Sequence, residues 1–354
     1  EIISRLMNLS RVFKNCIAND PPMQTDKQVR YWFLGGCLLI YFMVLTGGIT
    51  RLTHSGLSMV NWDFILGSLP PLTDSDWRVP FEKYKLSPEF RLINANFDLE
   101  EFKSIYWWEY IHRFIGRFTG IFFLLPYAWF IKNKKFSLKQ FHYASLLLIF
   151  GVLQGFIGWF MVKSGLYNTP QVSHFRLALH LSNAFLLLYF AFSAFLENPD
   201  QHQHLQRPTK ALLFTNGLIG IVFIQIILGA FVSGLHAGFI YNTFPLMGSA
   251  FIPPEIPALL SDSRYIFNHA TSVQFLHRMI AFSIVLLSAK IIYDLWKIKK
   301  IKKQLLFLGA SILIQFLLGV TALLCHVPVV IGVLHQAGAF MLFLSVILLK
   351  RSYS

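Results

Sequence analysis

The sequence predicts an all-α membrane protein: eight transmembrane helices arranged as two pseudo-symmetric four-helix bundles, with both termini inside. Three observations carry this expectation. The first is composition. Of 354 residues 55% are hydrophobic and only 14% charged, whereas soluble domains carry roughly a quarter charged residues. Too little charge remains to cover a water-facing surface, which excludes an ordinary cytosolic enzyme. The second is the presence of eight apolar runs long enough to cross a bilayer, which takes about 20 residues. The third is a basic excess, 31 Lys and Arg against 17 Asp and Glu, that is confined to alternate loops.

Residues 1–30 are mixed polar, contain Pro21 and Pro22, and lack the apolar core of a cleavable signal. They read as an N-terminal segment on the cytoplasmic or matrix side, with the first span, 31–50, as an uncleaved anchor. Uncharged runs follow at 141–162, 177–196, 211–233, 304–325 and 329–349. Two further runs, 109–131 and 273–296, carry Glu109, Arg113, Arg117 and Arg278 near their starts. The second also has Lys290 and Asp294 at the spacing of an i,i+4 pair. Cys16, Cys37 and Cys325 include no pair in an outer loop, so neither a disulfide framework nor a zinc site is expected.

The cations set the orientation. Loops on one side hold 18 Lys and Arg, those on the other hold 8, and the clusters at 132–139 and 297–303 contain no acid. By the positive-inside rule the richer side, with both termini, faces the cytoplasm or matrix. The excess is topological, and nucleic acid is not expected as a partner.

The chain also repeats itself. Gly47, His54 and Gly56 recur as Gly229, His236 and Gly238 at an offset of 182; His112 and Arg113 recur as His277 and Arg278 at 165. Gln154 and Gly158 recur as Gln315 and Gly319 at 161, and His180 and Ala184 as His335 and Ala339 at 155. An even number of spans returns the chain to its starting side, so the units, 31–200 and 205–354, would be parallel repeats, each a four-helix bundle with room for a cofactor in its core.

His112 and His277 fall on the second helix of each unit, His180 and His335 on the fourth. All four lie roughly 5–10 Å below the outer ends of their spans at 1.5 Å per residue. Two imidazoles from opposing helices at one height suit the axial positions of a heme iron. Arg113 and Arg278 either neutralise heme propionates or snorkel to the headgroups. The units differ around the second-helix histidine: Glu109 becomes Gln274, Arg117 becomes Phe282, and Arg176, one turn before His180, becomes Ile331. Glu109 shares a helix face with His112, where a carboxylate at an apolar site can take and return protons, unless it serves only as the i,i+4 partner of Arg113. The first unit thus reads as the reacting site and the second as a fixed electron-transfer heme. Outer loops 51–71 and 234–254, with Trp62 and Phe244 suited to the interface, are either short interfacial helices that roof a heme or ordinary re-entry loops. His54 and His236, at loop starts, suit the interface, and His202 and His204 lie in a polar inner loop.

The stretches Gly47–Thr53, Ser55–Ser58, Glu109–Arg113 with Gly116 and Arg117, Met161–Leu166, Arg176–His180, Gln274–Arg278 and His335–Gln336 resemble the heme A synthases of bacterial and mitochondrial inner membranes, of the type lacking outer-loop cysteine pairs. The resemblance runs from about Tyr31 to near the end. It implies oxidation of the C8 methyl of heme O to a formyl group, giving heme A for terminal oxidases. It further implies that His112 and His180 hold the substrate heme O with Arg113, Arg117 and Arg176 nearby. His277 and His335, with Arg278 and Gln274, would hold a heme b cofactor, and Glu109 would be catalytic. Expected partners are a heme O synthase, an electron acceptor, membrane lipid and, with the oligomeric state left open, a homo-oligomer. Three rival classes are a diheme cytochrome that only carries electrons, a transporter, and a prenyltransferase. Against the last, only Asn94–Asp98 has the spacing of an aspartate-rich diphosphate motif, and it is unpaired.

Overall fold

The computed structural model describes residues 26–60, 69–167, 169–197 and 209–353; the expectations placed on Cys16, Trp62, His202 and His204 lie outside them. Twelve α-helices make up the described chain: α1 (Lys27–Leu52), α2 (Asp74–Lys85), α3 (Pro88–Leu92), α4 (Leu99–Lys132), α5 (Leu138–Gly165), α6 (His174–Phe195), α7 (Thr209–Gly234), α8 (Ile256–Ser261), α9 (Ser263–Ile266), α10 (Ala270–Leu295), α11 (Lys302–Leu324) and α12 (Val329–Tyr353). Eight of them, α1, α4, α5, α6, α7, α10, α11 and α12, are long and apolar enough to span a membrane. They coincide with the eight apolar runs, because in hydrocarbon a segment must satisfy its own backbone donors and acceptors.

Polar residues at the run boundaries start the helices. Asp26 accepts from the Gln28 amide at 2.7 Å to cap α1. Reciprocal capping boxes open α2 (Thr73 with Asp76), α4 (Asp98 with Glu101) and α5 (Ser137 with Gln140). The Asp98 box starts α4 ten residues before its apolar run. This extension carries Phe102, Ile105 and Tyr106, on which, with Tyr110 just beyond, Trp77 and Tyr84 of α2 pack as a separate aromatic cluster. The outer loop between the first two spans is therefore built, with α2 and α3 lying against the extended α4. Asp98 caps a helix and Asn94 donates to the Tyr84 hydroxyl, so both members of the aspartate-like motif have structural work.

Helices α1, α6, α7 and α12 close into an inner ring, with α6 against α7 and α12 against α1 across the sequence halves. Each carries one outer helix: α4 on α1, α5 on α6, α10 on α7 and α11 on α12. The two halves thus share one core. That core gathers Trp32 and Phe33 of α1, Phe123 and Phe130 of α4, Phe185 of α6, Leu218 of α7, Ile291 of α10, Leu305 of α11 and Phe343 of α12. Most of these residues lie early in α1, α7 and α11 and late in α4, α10 and α12, toward one end of the assembly, while Phe185 lies midway along α6. All four histidines fall in the first half of their helices, toward the other end.

Helix α4 approaches α1 closely because Gly35 and Gly36 leave space for Phe122 and Phe123; a Cβ on Gly36 would collide with the Phe123 ring. Gly36→Val is expected to cost about 1–3 kcal/mol through overpacking. A lower thermal midpoint of the detergent-purified chain, against an unchanged midpoint for Gly120→Val, whose site is open, checks this.

Candidate functional site

From the histidine level down to Phe123 and Phe185 of the core runs one continuous cavity of about 1920 Å3, lined from both halves and including His112, His180, His277 and His335. Single-ligand pockets run to about 1,000 Å3, so this space is large enough for two macrocycle-sized groups.

Each histidine is seated by its neighbouring helix in the same manner. A Cβ on Gly47 of α1 would stand 3.1 Å from the His112 ring, and one on Gly229 of α7 3.4 Å from His277. On the other outer helices, a Cβ on Gly158 of α5 would be 3.0 Å from His180 and one on Gly319 of α11 2.9 Å from His335. Any larger residue would push the ring away. Side-chain amides meet three of the rings at Nε2: Gln154 on His180 at 3.2 Å, Gln225 on His277 at 3.2 Å and Gln315 on His335 at 3.4 Å. The Nδ1 atoms of those three rings are buried without a hydrogen-bond partner. His112 differs, with the Thr46 hydroxyl 3.1 Å from its Nδ1. The glycines were visible in the repeat, but neither Thr46 nor Gln225 recurs in the other half, so comparing the halves missed both.

Above each second-helix histidine the outer loop is clamped. The Arg113 guanidinium donates to the Met59 carbonyl at 3.0 Å and to Glu109 Oε1 at 2.5 Å. Glu109, 2% exposed, accepts at Oε2 from the Ser58 hydroxyl at 2.7 Å and the Met59 amide at 2.8 Å. In the second half Arg278 donates to the Tyr241 carbonyl at 2.8 Å, to Thr243 at 3.0 Å and to Leu246 at 3.2 Å, and the Gln274 amide donates to Tyr241 at 3.1 Å. Met59 and Tyr241 are 182 residues apart, the offset of the sequence repeat, so the arginine–carbonyl bond is the same bond made twice. The acid-to-amide change reverses the polarity of the second tie: Glu109 accepts from its loop, whereas Gln274 donates to its own.

The arginines after the histidines therefore hold loops, a role that neither expectation for them contained. The i,i+4 pair of Glu109 and Arg113 does form, and Glu109 also faces the cavity. Arg113, Arg117, Arg278 and Gln274 all line the cavity. Arg176 does not: its guanidinium lies 3.6 Å from the Phe160 ring centroid and donates to the Phe160 carbonyl at 2.7 Å. The aromatic face and the carbonyls near the end of α5 capture it one turn beyond His180. The loop 234–254 is no interfacial helix but an irregular segment with one 3-10 turn, Ala237–Phe239, and its Phe244 lines the cavity against Phe282. His54 and His236 stack on each other with ring centroids 5.9 Å apart where the halves meet. Burial, and after it the charge of Arg51, holds both below the usual histidine range.

The fold and the site together define a polytopic helical membrane protein with a histidine pair from each half opening on one internal cavity. The chain belongs to the cytochrome oxidase assembly protein family COX15-CtaA, which it matches over residues 30–347. It is similar to the heme A synthase of Flavobacterium psychrophilum, 42% identical over 332 residues that cover 90% of this chain and 96% of the relative. It is also similar to the heme A synthases of Nitrosospira multiformis, 39% identical with 92% and 93% covered, and of Rickettsia bellii, 42% identical with 91% and 97% covered. It is accordingly a multi-pass protein of the inner membrane.

Arg278→Lys keeps the charge but loses the planar fork that reaches three carbonyls. Losing one or more charge-assisted bonds at about 1.5 kcal/mol or more each should speed amide hydrogen exchange over residues 241–247 roughly tenfold or more. Exchange mass spectrometry, with the 55–59 loop as an internal reference, reads the outcome.

Proposed function

We propose that this chain is a heme A synthase, an oxidoreductase that converts the C8 methyl of heme O to a formyl group, giving heme A for terminal oxidases. One observation carries the proposal: in each half a histidine pair, every ring seated on a glycine, opens on a cavity with room for two macrocycles, in a chain whose near full-length relatives are named heme A synthases. The residues fit a heme. Three of the rings hold a buried nitrogen with nothing to bond, which a native interior seldom tolerates without a further partner, and the walls are mostly apolar.

In this reading two parallel four-helix units, 31–200 and 205–354, put both termini on the cytoplasmic or matrix side. The cation bias and the recurring arginine–carbonyl clamp support that arrangement. His112 and His180 hold the substrate heme O in the first unit, with Arg113 and Arg117 toward its acidic edge. His277 and His335, beside Arg278 and Gln274, hold heme b in the second. A bound heme b would supply one-electron transfer through its iron. Arg176, seated on Phe160, has no contact with substrate in this account. The protein's own part is positional. The glycines fix the height of each imidazole, and the clamped loops cover the cavity and exclude water from it. Glu109 is the carboxylate at the reacting end, tied to the loop through one oxygen and to Arg113 through the other. Only the first unit has such an acid, which supports assigning it the chemistry. Heme O synthase as the supplier and a separate electron acceptor complete the scheme.

Purification followed by heme extraction and mass spectrometry tests the function. Heme b together with heme O, its alcohol or heme A is expected; heme b alone at two per chain would mean an electron carrier. Glu109→Gln retains an oxygen for Ser58 and Met59, so it should still bind heme yet form little or no heme A; normal heme A formation in that variant removes the catalytic role. Gly158→Leu should lower heme in the first unit and Gly319→Leu in the second, each to about half the wild-type content by absorbance per chain.

A further inference from the structure

Glu89 is a second carboxylate on the first-half cavity, and neither the repeat nor any motif singled it out. It sits on α3, is only 4% exposed, and lines the same space as Glu109 and His112. The hydrogen bond to its carboxylate comes from a neutral group: the buried Tyr84 hydroxyl donates to Oε2 at 3.1 Å and itself accepts from Asn94 Nδ2 at 2.8 Å. No described ion pair includes Glu89, in contrast with Glu109, whose two oxygens are taken by Arg113, Ser58 and the Met59 amide. An acid buried without a cation is held most cheaply with its proton on. Burial first, and the nearby Glu109 charge in addition, push the Glu89 carboxyl up to about 7, partly offset by the Tyr84 hydrogen bond. The second half has a similar Tyr–Glu pair with a different setting. There Tyr241 donates to Glu255 at 2.6 Å, but Glu255 is partly exposed, does not line the cavity, and is held below the usual carboxylate range by that bond. Among the described residues, only the first half keeps carboxylates facing the cavity, and the residues after Glu89, 91–93, are exposed.

We propose that Glu89 is the proton exit of the first-half cavity, accepting protons released at the reacting end and passing them to water on the outer-loop surface. This rests on the reading of that half as the oxidising site, since converting a methyl to a formyl group leaves protons in a space with apolar walls. The step is a proton transfer alone. An O–H bond of a hydroxyl or water in the cavity breaks, an O–H bond forms on the Glu89 carboxylate, and the same proton then leaves to solvent, restoring the carboxylate without moving electrons. Facing Glu89 are the Tyr84 hydroxyl from α2 and Glu109 from α4, the latter already paired with Arg113. A carboxylate must be ionised to accept, so heme A formation should rise with pH through about 7 and then level.

The test uses the full-length purified chain. Infrared titration of the protonated-carboxyl band should show a group titrating near pH 7 that is lost in Glu89→Gln and titrates lower in Glu109→Gln, where the neighbouring charge is gone. This reading does not depend on turnover. Heme A formation in Glu89→Gln should fall on the order of 10- to 100-fold at unchanged heme content, lose the limb near pH 7, and recover in part in Glu89→Asp. Should Glu89→Gln not fold, Tyr84→Phe removes the donor to the carboxylate and should move the same limb to higher pH; an unmoved limb overturns the proposal. A wild type that forms no heme A overturns the function assigned to the site. A wild type that forms it while Glu89→Gln matches its rate and pH profile overturns the proton exit.

Discussion

An imidazole buried among apolar helices needs space for its ring, and in this protein that space comes from a glycine on the adjoining helix. Every one of the four histidines is backed by a glycine, and at Gly47, Gly158 and Gly319 even a methyl group would crowd the ring. That constraint sets how close α4 comes to α1, α5 to α6, α10 to α7 and α11 to α12. Interiors pack densely, and here the glycines leave room beside the rings while phenylalanines from both halves, among them Phe123, Phe185 and Phe282, wall the cavity. The aromatic core supplies the stiffness and the glycines supply the opening.

The outer loops follow from the same helices. Arg113 and Arg278 each reach past their histidine to a loop carbonyl 182 residues apart in register, so the residue that follows the ring also secures the cover above it. Around this shared clamp the halves diverge. Glu109 ties its loop as an acceptor and stays negatively compensated by Arg113, while Gln274 ties its loop as a donor. Among the described residues the first half thereby retains carboxylates beside the cavity, and the second has an amide where the first has Glu109. This fits a division between a site where hydrogen is removed and a site where only electrons pass.

Much of the fold was legible because hydrocarbon imposes local rules. Span length, cation placement and the spacing of His112, His180, His277 and His335 can be read one segment at a time. The roles of neighbouring residues were less legible. Arg176 shares a helical face with His180, but Phe160 on a different helix decides where its guanidinium rests. Glu89 was overlooked because its burial depends on α2 and α3 folding against an extension of α4. The capping boxes at Thr73 and Asp98 were the only local signal of that arrangement.

The sequence by itself determined the eight spans, the bias of charge between their ends, the internal repeat and the four histidines, because bilayer thickness and helical period act on contiguous residues. Only the tertiary structure decided that the halves share an inner ring of α1, α6, α7 and α12, that the arginines bind loop carbonyls, and that two carboxylates border one half of the cavity. Those outcomes depend on which side chains from distant segments meet and on which are left without water, and neither is encoded in any single stretch of chain.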